Sequence, residues 1–209
     1  MLAFGAGVVG GLLPGHQLLH STHDRESFQR QITLVDVEHG LSLPIIINPA
    51  SDFALSSRGL ITLTGEGTSI IALDLYSSQR RLLVPNTATY DTGTFDAAWS
   101  PDGTTLAFIA ADQSRYRLSQ RIYLSAGSTL RNLMPERSYR AIRELVWSPD
   151  GTRIAFTGHE SNNSPAAIYV VDVSSRAIYK LSPVEIGASQ PAWSPDSTFI
   201  AFRGEQQGI

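Results

Sequence analysis

The feature that most constrains this chain is one turn written three times. Ala97 to Ala110 reads AAWSPDGTTLAFIA, Leu145 to Gly158 reads LVWSPDGTRIAFTG, and Pro191 to Gly204 reads PAWSPDSTFIAFRG. The tryptophans Trp99, Trp147 and Trp193 are 48 and 46 residues apart. A fourth, decayed copy runs DFALSSRGLITLTG from Asp52 to Gly65, with Leu55 in the Trp place and Gly59 in the turn, 44 residues before Gly103. In each of the three Trp-bearing copies a short apolar run ends at the Trp, and four turn formers follow. These are Pro101, Asp102 and Gly103 after Ser100, Pro149, Asp150 and Gly151 after Ser148, and Pro195, Asp196 and Ser197 after Ser194. Serine suits the first position of a β-turn, proline presets φ at the second, aspartate suits the third, and glycine tolerates the exit.

A second strand follows each turn with the pattern Leu/Ile-Ala-Phe, as in Leu106-Ala107-Phe108, Ile154-Ala155-Phe156 and Ile200-Ala201-Phe202. Such a continuous apolar run predicts a strand covered on both faces by neighbouring sheets. The rest of each repeat reads as a hairpin: Gln31 to Ile45, Ser69 to Leu83, Arg121 to Leu133 and Ala167 to Leu181. Asp36, Asp74 and Asp172 stand at equivalent places before the hairpin turns, so they are expected to shape turns and not to act as acids. A period of 44 to 48 residues is that of one four-stranded propeller blade.

The fold class is therefore all-β, a β-propeller of four-stranded antiparallel blades with about four blades' worth of strands. The expected organisation is a leader over 1–30, a partial blade over 31–48, and blades over 52–84, 95–134 and 143–182, with a partial blade over 190–209. Two strands at the start and two at the end could share one closing blade and make a four-bladed ring. The alternative, which the sequence favours, is an arc of a larger propeller.

With these residues in view, the chain resembles the TolB-type propellers, a WD-like repeat family whose blades carry WSPDG followed by Leu/Ile-Ala-Phe. The resemblance covers roughly residues 31 to 204. Ser197 replaces the turn glycine in the last copy, and Ser56-Ser57-Arg58 replaces Ser-Pro-Asp in the first, which blurs the boundary of that blade. The resemblance implies a bacterial, extracytoplasmic protein that binds a protein or glycan partner through its propeller. It equally allows the gating propeller of a prolyl-oligopeptidase or dipeptidyl-peptidase relative, whose α/β-hydrolase domain this chain lacks.

Composition narrows the function further. Hydrophobic residues make up 42% and charged residues 17%, which fits a folded chain. A net charge of −3 offers no broad positive field for nucleic acid. The absence of cysteine excludes disulfides, thiolate metal sites and cysteine nucleophiles. Leu2 to Leu13 is uncharged and long enough for a signal-peptide core, so residues 2–19 are a possible membrane attachment, the other readings being a flexible leader or a buried segment. His16, His20 and His23 fall in or just after it and are expected to be solvated rather than metal ligands.

No constellation for catalysis is legible. The chain has no Gly-x-Ser-x-Gly elbow, since Gly187-Ala188-Ser189-Gln190-Pro191 lacks the final glycine. It has no phosphate-binding glycine loop and no His-Glu-x-x-His. Asp91 to Asp96 resembles a calcium loop only faintly, without the alternating carboxylates, and reads as a connection into the blade of Trp99. No cofactor is called for. Seven arginines between Arg115 and Arg143 interleave with tyrosines, and Arg115, Arg117 and Arg121, together with His159, form the candidate binding surface. The favoured expectation, however, is that these arginines alternate along strands and loops of different orientation and never form one surface. Gly158 to Ser164 and Ala111 to Ser114 are expected as exposed loops joining second and third strands.

Overall fold

The computed structural model describes residues 17–23, 30–36, 42–47, 53–64, 69–74, 79–84, 90–91, 96–112, 119–183 and 186–206. Every element among them is a strand, and the strands form five separate antiparallel sheets in chain order. The first holds β1 (Gln17–His23), β2 (Arg30–Asp36) and β3 (Ser42–Ile47). The second is a complete meander of β4 (Phe53–Leu55), β5 (Leu60–Thr64), β6 (Ile70–Asp74) and β7 (Arg80–Val84). The third contains β8 (Tyr90–Asp91), β9 (Ala97–Trp99), β10 (Thr105–Asp112), β11 (Ser119–Ala126) and β12 (Thr129–Asn132). The fourth is β13 (Ala141–Trp147), β14 (Arg153–His159), β15 (Ala167–Asp172) and β16 (Ile178–Lys180). The fifth pairs β17 (Ile186–Trp193) with β18 (Ile200–Gln206).

The first strands β4, β9, β13 and β17 lie beside one another, so consecutive sheets stack as propeller blades around a common inner edge. In the third sheet that inner strand is split: β8 and β9 both pair with β10, and Thr92 to Phe95 between them lie outside the described residues.

Burial explains the Leu/Ile-Ala-Phe run. Successive side chains of a strand point to opposite faces. On β10, Leu106, Phe108 and Ala110 pack with Ile70 and Val84 of the second sheet, while Ala107 and Ile109 join Trp147, Ile154 and Phe156 of the fourth. Leu106, Ala107 and Phe108 are each 0% exposed, as are Ile154, Ala155 and Phe156. Both faces of the second strand are thus interior, and each large side chain so buried stabilises by about 1.5–3 kcal/mol. The third copy differs. Phe202 is 36% exposed on β18, which pairs only with β17 among the described residues.

Two expectations are corrected, and between the ring and the arc the structure bears out the arc. The first sheet has a third strand, β1, paired along its whole length with β2 from Gln17↔Asp36 to His23↔Arg30. Residues 17–23, including His20 and His23, therefore form a strand of the first sheet, within the span expected as a leader. Residues 1–16 lie outside the described set. Because β1 pairs with β2 as β5 pairs with β6, the first sheet holds second, third and fourth strands while the last holds first and second. The two do not complement each other as a closing blade, and the described sheets are an open run, not a four-bladed ring. Finally, Gly158 and His159 end β14 and Ala111 and Asp112 end β10, so the loops begin later than expected.

Candidate functional site

Each Trp-Ser-Pro-Asp turn is a small hydrogen-bonded unit. The backbone closes it through Gly103 N–H to Ser100 O, Gly151 N–H to Ser148 O and Ser197 N–H to Ser194 O, at 2.8, 2.8 and 2.9 Å. The serine hydroxyl is the hub. It donates to the aspartate two residues on at 2.6 Å in all three copies. It also accepts the N–H five residues on, from Thr105, Arg153 and Phe199, at 2.9 Å each. A threonine completes the unit, because Thr104, Thr152 and Thr198 each give the carboxylate both their N–H and their hydroxyl. The serine was read from the sequence as a turn former, but the threonine that follows the turn in all three Trp-bearing copies was not singled out.

These donors favour the ionised carboxylate. Hydrogen bonding by the Ser100 and Ser148 hydroxyls, then by Thr104 and Thr152, holds Asp102 and Asp150 below the usual carboxylate value. The Ser194 hydroxyl and Thr198 pull Asp196 down to about 2. Asp172, at the outer hairpin, is likewise drawn to about 2, first by the Ser175 N–H and then by the Ser174 and Ser175 hydroxyls. The aspartates therefore shape turns, and none carries the raised affinity for a proton that a general acid needs at neutral pH.

The turns also bind blade to blade. Trp147 Nε1 donates to Ala98 O at 2.9 Å, and Trp193 Nε1 donates to Val146 O at 3.1 Å, the same bond one repeat later. Trp99 differs, since its Nε1 is buried without a hydrogen-bond partner among the described residues. Ser57 Oγ donates to Pro101 O at 2.9 Å, and Asp150 N–H donates to Ser197 Oγ at 3.1 Å, so the turns are stitched together at the second–third and fourth–fifth junctions. Ser197 has φ 63 where the other copies have glycine, and this bond accompanies the strained backbone.

A second inter-blade chain was not foreseen. The residues three before each Trp are Asp96, Glu144 and Gln190. Glu144 N–H donates to Asp96 Oδ2, and Gln190 N–H donates to Glu144 Oε2 at 2.7 Å. Glu144 and Gln190 sit where β13 and β17 slip register against β14 and β18, with φ of 58 and 57. No glycine marks either place, so the bulges left no sequence signal.

The turns of the third and fourth sheets enclose a cleft of ≈ 520 Å³. Asp102, Thr105, Arg131, Trp147, Asp150 and Gly151 are among its lining residues. The described members of the arginine-rich segment lie on different elements. Arg115 and Arg117 lie outside the described residues. Arg121 is half-buried on β11 opposite Ala110, whereas His159 ends β14 opposite Ala141, in another sheet. Arg131 donates to Val173 O at 3.1 Å, Arg137 pairs with Glu160, and Arg140 donates to Asn162 Oδ1 at 2.6 Å. The last two, with His159 Nδ1 3.2 Å from Ser164 O, brace the 160–164 loop. No group of three or more metal-ligating side chains is assembled among the described residues.

No family model and no curated protein sequence matches the chain. Solved structures do. TolB from Acinetobacter baumannii matches with a TM-score of 0.66 at 19% identity, over 88% of this chain and 45% of that one. An oligogalacturonate lyase in complex with manganese matches at 0.71 and 12%, over 93% and 57%. Puromycin hydrolase matches at 0.68 and 14%, over 92% and 35%. The chain spans about half the length of the TolB and lyase structures. Five antiparallel sheets, the last four stacked in chain order, and these likenesses together make the fold of this chain that of the TolB-like β-propellers.

Proposed function

We propose that the chain is a non-catalytic TolB-like propeller scaffold that binds a protein partner at its turn face, outside the cytoplasm. The observation that carries this reading is the commitment of the repeated polar side chains. Asp102, Asp150 and Asp196 each accept from a serine and a threonine of their own turn, and the turns are bonded to one another at two of the three junctions. That leaves a hydrogen-bonded turn face with an open cleft and, among the described residues, no acid, base and nucleophile brought together. Rigid faces bind without a large ordering cost.

The test is capture from envelope extracts on the immobilised chain, with a glycan array in parallel and fractionation of the tagged protein in its host. Recovery of one partner that competes with itself in solution supports the reading, and a glycan hit would change the partner class. Exclusive cytosolic location with no envelope partner would count against it.

A second reading is favoured by the likeness to puromycin hydrolase and to acylaminoacyl peptidase, the latter with a TM-score of 0.58. In it the chain is the gating propeller of a serine peptidase. A Gly-x-Ser-x-Gly elbow encoded in frame with this chain would decide for it, and further WSPDG repeats would decide for the scaffold.

A further inference from the structure

Two of the three junctions between consecutive turns are bridged by an arginine of the earlier blade. Between the second and third sheets, Arg58 Nε donates to Asp102 O at 2.9 Å. Between the fourth and fifth, Arg153 is held by three groups. Its guanidinium carbon lies 4.8 Å from the centroid of the Trp193 ring. Its Nη2 donates to Ser197 O at 2.6 Å and stands 3.9 Å from Asp150 Oδ2 of its own turn.

The repeat supplies the counterpart of each group one junction earlier. Trp147 corresponds to Trp193, Gly151 to Ser197, and Asp102 to Asp150. Arg153 itself corresponds to Thr105. All four counterparts line the ≈ 520 Å³ cleft. The cleft is thus the place where a short side chain stands instead of an arginine, with the indole, the turn carbonyl and the carboxylate of an arginine socket still around it.

We propose that this cleft takes an arginine side chain presented by a protein partner. The guanidinium lies against the Trp147 indole, beside the Asp102 carboxylate, and donates to the Gly151 carbonyl. Trp147 is only 8% exposed, so it forms the floor, and its Nε1 bond to Ala98 O fixes the ring. Asp102 and Asp150 supply two negative charges to the walls against one positive charge, and that one, Arg131, is tied to Val173 O at 3.1 Å. Arginine is favoured over lysine because its planar fork can stack on the indole and donate to the carbonyl at once. The partner is a polypeptide because the cleft continues past the socket along Leu124, Ala126 and Val173, an apolar wall that a free guanidinium would leave uncovered.

The partner's being a protein rests on the scaffold reading, while the socket geometry does not. The experiment titrates the full chain with N-acetyl-arginine amide and N-acetyl-lysine amide, following the indole N–H resonance of Trp147. Saturable shifts are expected with arginine, about fivefold tighter than with lysine. Thr105→Arg should fill the socket from within, raise Tm by about 2–4 °C, and abolish the titration. No saturable shift in the wild-type chain overturns the proposal, and so does a titration that Thr105→Arg leaves intact. A captured partner whose binding is indifferent to Thr105→Arg would overturn the socket while leaving the scaffold reading standing.

Discussion

Glu144 receives the backbone of the next blade: its Oε2 accepts the Gln190 N–H at 2.7 Å, and the same oxygen accepts the Thr157 hydroxyl at 2.5 Å. One carboxylate oxygen therefore ties β13, β14 and β17 together at the inner edge, and it does so from a residue with φ 58. Glu144→Ala removes both bonds and leaves the Gln190 N–H without this partner. The expected loss is about 1–3 kcal/mol in urea unfolding. Glu144→Gln keeps an acceptor there and should recover most of it. Equal loss in both variants would show that the charge, and not the hydrogen bonds, joins the blades.

Stability should fall in acid through the turn aspartates. The folded value of Asp196 is about 2, against an ordinary 3.8, because the Ser194 hydroxyl and Thr198 favour the carboxylate. Asp172 is shifted the same way by Ser175 and Ser174. A group whose folded value is depressed contributes stability that is present above its unfolded value and is lost as pH falls through its folded one. The decline in Tm should therefore lie between about pH 4 and about pH 2. Asp196→Asn should flatten that part of the profile while lowering Tm at pH 7. A variant profile parallel to that of the wild-type chain would disprove the assignment.

The blade was legible because its signals are local and repeated. Trp99, Trp147 and Trp193 recur with the same turn after them, and repetition separated Asp36, Asp74 and Asp172 from catalytic acids. What escaped lacked one of these properties. β1 was missed because Gln17 to His23 carries two histidines and no Trp-Ser-Pro-Asp turn precedes it. The inner-edge chain was missed because Asp96, Glu144 and Gln190 share a position but not a chemistry, and only geometry shows that each meets a backbone amide or offers one. The cleft was written in the alignment of Thr105 with Arg153, yet its meaning needed the distance from Arg153 to Trp193. Arginines near in sequence need not share a surface, because alternate strand residues and separate sheets scatter them, as Arg121 on β11 and Arg140 before β13 show.

Turn glycines should differ in tolerance according to what lies beside them. Gly127 has φ 59, and a Cβ there would meet nothing within 4 Å. Gly127→Ala should cost only the left-handed backbone strain, about 1 kcal/mol. Gly103 has φ 66, and a Cβ would come 2.8 Å from Ser57 Oγ, 2.9 Å from Arg58 Cγ and 3.3 Å from Arg58 N. Gly103→Ala therefore adds overlap with the neighbouring turn to the same strain, for a total of about 2–4 kcal/mol. Chemical denaturation of the two variants measures the difference. Equal costs would mean that the second and third blades do not meet at this turn.

The three tryptophans should respond unequally to one conservative change. Trp147→Phe keeps most of the apolar area between the third and fourth sheets but deletes the donor to Ala98 O, leaving a buried carbonyl without it. That should cost about 2–3 kcal/mol, combining lost packing with an unpaired acceptor. Trp99→Phe loses comparable packing against Ile70 and Val84, yet it also removes a buried N–H that has no partner among the described residues. Deleting an unsatisfied donor recovers part of its desolvation cost, so this variant should lose about 1 kcal/mol less than Trp147→Phe. Urea unfolding of both, followed by the fluorescence of the remaining tryptophans, gives the comparison. If Trp99→Phe proved the more damaging, its indole nitrogen would have to be bonded in solution, and the junction between the second and third blades would then be built like the other two.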